Sequence, residues 1–143
     1  MKVKEVAEFF LAKESMTNKK IQKLCYYAQA WFYALYNKKL FNERIEAWVH
    51  GPVCPELYRE YAIYGYQEIP KINKEIKMQE EQKKLLNQVW NIYGKLDGDE
   101  LEILTHREEP WLKARKGLDY RKPSNAEILP QNMGRYYREK YHI

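Results

Sequence analysis

The stretch Thr17–Tyr36 (TNKKIQKLCYYAQAWFYALY) limits what this chain can fold into more than any other. Ile21, Leu24, Cys25, Ala28, Trp31, Phe32 and Leu35 recur at the spacing of one helix face. Tyr26, Tyr27, Tyr33 and Tyr36 take the opposite side, with Ala30 and Ala34 between them. From Leu24 onward the helix is apolar or aromatic nearly all round, so it needs neighbours on more than one side. Thr17 or Asn18 supplies the side-chain oxygen that caps its first amides. Such a helix belongs at the centre of a small helical domain.

The remaining pattern supplies the neighbours. Val3, Val6, Ala7 and Phe10 give a first helix ending near Ala12. Residues 40–49 mix apolar and polar positions and read as a short extended segment or irregular crossover. His50-Gly51-Pro52-Val53-Cys54-Pro55 breaks any helix, because each proline removes an amide donor and biases its predecessor toward extended backbone. Pro55 then opens a helix that runs to Tyr64 and stops at Gly65. Residues 66–78 read as a loop, and Glu80 to Tyr93 as a helix burying Leu85, Leu86, Val89, Trp90 and Tyr93. Asp97 or Asp99 caps the next helix, which buries Leu101 and Leu104, with Ile103 a further candidate. Thr105 to Trp111 reads as a turn, with Pro110 opening a short helix to Arg115. A last helix begins at Pro130 and carries Met133, Tyr136, Tyr137 and Tyr141; Gly134 inside it requires tertiary support. The expected fold is mainly α: one compact helical bundle over 1–143 around a central helix at about 18–36, with a short extended segment near 40–49.

A chain of 143 residues is long enough to bury a core without disulfides or a metal. No apolar run reaches the ~18–20 residues that span a bilayer, and charges at Lys2, Lys4, Glu5 and Glu8 interrupt any signal-peptide core. The expected location is the cytoplasm, with Cys25 and Cys54 as reduced thiols. Residues 1–110 balance 17 basic against 17 acidic side chains, whereas residues 111–143 carry 8 against 3. The whole excess of +5 therefore sits in the last third. It reads equally as a solvated surface and as a face for nucleic acid or an acidic protein.

Catalytic signatures are sparse. Ser15 and Ser124 occupy turn or cap settings, and Gly94 and Gly98 lack the following Lys-Ser/Thr of a phosphate loop. His50 with Cys54 is the one thiol–imidazole pair, and no third orienting group accompanies it. The three histidines have no metal-ligand spacing. No cofactor, metal or catalysis is expected. Asp99–Leu104 followed by Pro110–Lys116 only loosely resembles a helix-turn-helix, since its turn is long and its second helix short. The 13 tyrosines are the strongest oddity of composition, and tyrosine serves cores and protein interfaces alike.

The run Asn18-Lys19-Lys20-Ile21-Gln22-Lys23-Leu24-Cys25-Tyr26-Tyr27-Ala28-Gln29-Ala30-Trp31 resembles the opening motif of the Panacea, or SocA-like antitoxin, domain. Further matching residues are Leu40-Phe41, Ile45-Glu46-Ala47-Trp48, His50-Gly51-Pro52-Val53 and Pro55-Glu56-Leu57-Tyr58. Val89-Trp90, Tyr93-Gly94, Leu101, Leu104-Thr105-His106, Pro110-Trp111, Ile128 and Tyr136-Tyr137 complete the series. The resemblance implies a compact helical antitoxin, bacterial or phage-borne, that neutralises a protein toxin by direct contact. In at least one member it also implies delivery of the toxin to a protease. Cys54 stands where an aliphatic residue is usual, which favours packing over chemistry there.

On this reading the toxin-facing or supporting residues are Tyr26, Tyr27, Trp31, Trp48, His50, Gly51, Pro52, Pro55, Tyr58 and Tyr61. Thr105, His106 and Trp111 tie the C-terminal helices to the Gly-Pro turn. The alternative is a nucleic-acid-associated phage protein using Lys113–Lys122; no membrane partner is expected.

Overall fold

A computed structural model describes residues 1–143. Helix α1 (Val3–Leu11) leads through a two-residue strand β1 (Met16–Thr17) into the long helix α2 (Asn18–Tyr36). A hairpin of β2 (Glu46–Trp48) and β3 (Gly51–Val53) precedes α3 (Pro55–Tyr61) and a 3-10 turn, Ala62–Tyr64. Strand β4 (Glu68–Ile69) is followed by α4 (Glu80–Tyr93), α5 (Gly98–His106), α6 (Glu109–Ala114) and α7 (Pro130–Tyr141). The architecture is mainly α, as the periodicity predicts.

Helix α2 is the axis, touching α1, α3, α4, α5, α7 and the hairpin. Thr17 Oγ1 accepts from the Lys20 amide at 3.2 Å and caps its start. Asn37, with φ 55°, ends it in the left-handed conformation that asparagine tolerates. From Ile21 to Ala30 every residue is buried, including Gln22, Lys23 and Gln29. Those glutamines are there because irregular backbone packs on the helix and must be hydrogen-bonded. Gln29 Oε1 accepts from the Leu40 amide at 2.8 Å, and its Nε2 donates to Phe41 O at 2.7 Å. Gln22 Oε1 accepts from the Cys54 amide at 2.9 Å.

The extended segment near 40–49 is the hairpin strand Glu46–Trp48, paired antiparallel with Gly51–Val53. A third strand-like rung comes from the C-terminal third. The Ala47 amide donates to Ala126 O and the Ile128 amide to Ile45 O, both at 2.8 Å. The loop expected at 66–78 contains β4, whose Glu68 and Ile69 pair with Thr17 and Met16. Thr105 and His106 are corrected from turn to helix: with Asp97 as cap, α5 reaches His106 and the turn begins only at Arg107. Ile103 lies 54% exposed, and Leu35, expected on the core face, is exposed because α2 overruns the bundle there.

Gly134 lets α7 lie against α2. A Cβ there would stand 2.7 Å from Tyr33 Cδ1 and 3.2 Å from the Ala34 nitrogen, which belongs to the backbone and cannot move aside. Gly134→Ala gains about 1 kcal/mol of helix propensity. It should nonetheless destabilise the chain by about 1–3 kcal/mol through overpacking, read as a lowered urea midpoint.

Candidate functional site at the hairpin junction

The hairpin reverses direction at Val49-His50, and Gly51 has φ 108°, a conformation L side chains rarely adopt. His50 is thereby held in solvent, where its Nδ1 lies 3.3 Å from Glu102 Oε2. Glu102 also meets Lys19, which pairs with Asp99 at 2.7 Å. Trp48 is half-buried and edge-on to the exposed Tyr58, with ring centroids 5.2 Å apart. Its indole nitrogen donates to Glu46 Oε1 at 2.8 Å. Beyond Tyr58 the 3-10 turn and its exit expose Ile63 and Tyr66 almost completely. Pro55 stands partly exposed at the first turn of α3; Pro52 and Tyr61 are buried.

Beneath the hairpin tip a polar layer replaces apolar packing. Trp111 Nε1 donates to Trp48 O at 2.8 Å, and Arg115 donates to Ala47 O at 2.9 Å while lying over the Trp111 ring. His106 also stacks on that indole, centroids 4.0 Å apart. Burial lowers His106 below the ordinary histidine range, against Glu102 and the Val49 backbone, which favour its charged form. Thr105 Oγ1 donates to Glu102 O at 2.9 Å. Lys23 is 1% exposed, and burial pushes its ammonium down to about 7, aided by Lys19 and opposed by Glu102.

Tyr26 and Tyr27 are corrected as direct contacts. Both are fully buried, because α4 and α7 cover the tyrosine side of α2. Tyr27 stacks on Tyr93 at 3.9 Å, and its hydroxyl donates to Glu108 Oε1 at 2.6 Å. Tyr137 donates to the same oxygen at 3.0 Å. Trp31, half-buried, donates to Tyr93 Oη at 2.9 Å and packs on Tyr137 and Tyr141. Trp111 is also buried. Of the residues expected to meet a partner, the structure leaves His50 and Tyr58 at the surface, with Trp31, Trp48 and Pro55 partly exposed.

The buried Glu108 carboxylate yields a prediction. Burial raises its pKa above the ordinary glutamate value, and the two tyrosine hydroxyls pull it back. Just above the ordinary value the folded chain holds the proton that the unfolded chain has released, so this group's contribution falls as pH rises. Glu108→Gln keeps one oxygen for both hydroxyls and removes the charge; its stability should lie within about 1 kcal/mol of the parent, without that pH-dependent loss. Glu108→Ala strands two buried hydroxyls and should cost about 3 kcal/mol. Chemical denaturation of the three proteins at pH 4.5 to 7 checks both.

The His50–Cys54 pair is not assembled. Cys54 is buried and pushed up to about 11 by that burial, whereas His50 faces Glu102. The basic stretch Lys113–Lys122 also presents less charge than its sequence promises. Arg115 is buried, Lys113 pairs with Glu109 and Arg121 with Asp119.

A family model described as antitoxin SocA-like, Panacea domain, matches residues 21–112. The chain belongs to this family. No curated protein and no solved structure matches it. The matched stretch of this Panacea domain runs from α2 to α6 and contains the hairpin, Lys23, Thr105, His106 and Trp111. Helices α1 and α7 lie outside it. No helix is long and apolar enough to cross a membrane.

Proposed function

We propose that this Panacea domain is the antitoxin of a toxin–antitoxin pair and neutralises a protein toxin by direct contact, without catalysis of its own. The contact surface is the hairpin tip with the outer side of α3: His50, Trp48 and Tyr58, continued by Ile63 and Tyr66. Support comes from family membership and from one structural contrast. Most of the chain's aromatic rings pack at least partly inside, yet Tyr58 stands out in solvent against Trp48 of a hairpin fixed by Gly51, Trp111 and Arg115, and Ile63 and Tyr66 stand out beyond the end of α3. Exposed aromatic and aliphatic side chains on a stiff support are the usual anchors of protein interfaces.

Ile63→Asp and His50→Glu alter side chains that make little packing contact, so both variants should keep the parent melting temperature within about 2 °C. Each should weaken binding to the toxin at least tenfold, the size expected for an interface anchor. Isothermal titration against the purified product of the neighbouring reading frame measures this. Full affinity in both variants would move the surface elsewhere.

A further inference from the structure

We propose that Lys23, together with His106, forms an internal receptor for one carboxylate group of the bound protein partner. Two polar groups under the hairpin tip make no hydrogen bond within the chain, and one of them, His106 Nε2, is a fully buried atom. Lys23 makes no hydrogen bond or ion pair although it is 1% exposed, and His106 Nε2 is buried without a partner. The Lys23 stem lies so close under Gly51 that a Cβ there would sit 2.6 Å from Cε and 3.3 Å from Nζ, with Thr105 Oγ1 at 3.0 Å. The nearest carboxylate, Glu102, is engaged by Lys19 and His50, and Thr105 has given its proton to Glu102 O.

Apart from the Val49 backbone, which favours the charged form of His106, the site has cationic donors and no free acceptor. Burying an ammonium without one is costly, the half-buried His106 ring keeps one buried nitrogen unpaired, and a planar two-oxygen anion serves both. The surrounding charges still leave room for a negative guest: Lys19 on α2, His50 at the tip and Arg115 after α6, against Glu102 and the Lys19-paired Asp99 on α5. Lys23 lies under Gly51, next to the tip residue His50, which places the receptor directly beneath the surface assigned above to the toxin. The assignment rests on that reading only for the source of the carboxylate, an acidic side chain or chain terminus of the toxin.

Carboxylate binding is coupled to proton uptake. Lys23 in the free chain titrates at about 7 and His106 below its ordinary value, so both become fully charged when the anion arrives. Affinity falls toward tenfold per pH unit above about 7.

The test uses the free full-length chain, with formate as the probe and carbon-13 NMR of the lysine Cε and histidine ring as the readout. Formate at about 100 mM, against chloride at equal ionic strength, should raise the Lys23 midpoint by about one pH unit and shift the His106 ring. In Lys23→Met the His106 response should drop at least threefold, and in His106→Gln the Lys23 response should shrink. A Lys23 midpoint identical in formate and chloride would overturn the receptor. A larger response to phosphate than to formate would overturn the carboxylate assignment. Acetyl-aspartate amide and acetyl-glycine separate side-chain from terminal carboxylates, and a response to either supports the proposal. Because no toxin is present, failure here leaves the antitoxin reading standing, and a harmless neighbouring frame leaves the receptor standing.

Discussion

Lys23→Met should make the chain more stable by about 2–4 kcal/mol at neutral pH, a sign opposite to that of most substitutions in a core. Methionine keeps the length and path of the stem and deletes only the ammonium, which makes no hydrogen bond or ion pair within the chain, at a residue 1% exposed. The same physics gives a pH dependence. The group's pKa drops from 10.5 unfolded to about 7 folded, so between those values the unfolded chain holds a proton that the folded chain lacks. Stability contributed by this site therefore rises with pH from about 7 upward, to a ceiling of about 5 kcal/mol. Urea denaturation of parent and Lys23→Met at pH 6.5 and 9 should show the gap between them narrowing at the higher pH. A destabilised Lys23→Met, or a constant gap, would mean that the ammonium is satisfied in the folded chain.

Gly51→Ala is the largest expected loss, about 3–5 kcal/mol. Its φ of 108° strains any L residue by about 1–2 kcal/mol before packing is considered. The new methyl would also drive into Lys23 Cε at 2.6 Å and Thr105 Oγ1 at 3.0 Å, both on buried residues. The two terms separate in a double-mutant cycle. With Lys23 shortened to Ala, the contact with Cε disappears and the backbone cost of Gly51→Ala remains together with the Thr105 Oγ1 contact, a coupling of about 1–3 kcal/mol. Additive effects would show that the hairpin does not rest on Lys23.

Where the sequence was legible, a single periodicity or breaker decided the matter locally. The bounds of α1, α2 and α4 follow from apolar spacing, and Pro55 and Gly94 end up at the helix boundaries they announce. The extended segment near 40–49 was legible as the strand Glu46–Trp48, whereas the other pairings were not, because they are long-range. Nothing within Glu68-Ile69 shows that Met16-Thr17 will lie beside it, nor does Ala126–Ile128 advertise Ile45–Ala47.

The tyrosines failed as surface markers for the same reason. Tyr26 and Tyr27 are covered by α7, which lies about a hundred residues further along the chain. Lys23, Gln22, Gln29 and Glu108 were invisible as site residues, since charged and amide side chains read as solvent-facing. One signal was present. Four polar residues in Asn18–Gln22, and then Lys23 and Gln29, interrupt a helix otherwise apolar on all sides, and a surrounded helix can keep polar groups only by pairing or using them. The motif positions His50, Gly51, Thr105, His106 and Trp111 do gather at one place, around the hairpin tip.

The central claim is that the hairpin tip and α3 carry toxin neutralisation. Co-expression with the neighbouring reading frame, scored as colony formation, tests it most directly. The account predicts that the frame alone arrests growth, that the parent chain restores it, and that the stably folded Ile63→Asp/His50→Glu double variant does not. A frame that is harmless alone, or full rescue by the double variant, would contradict it.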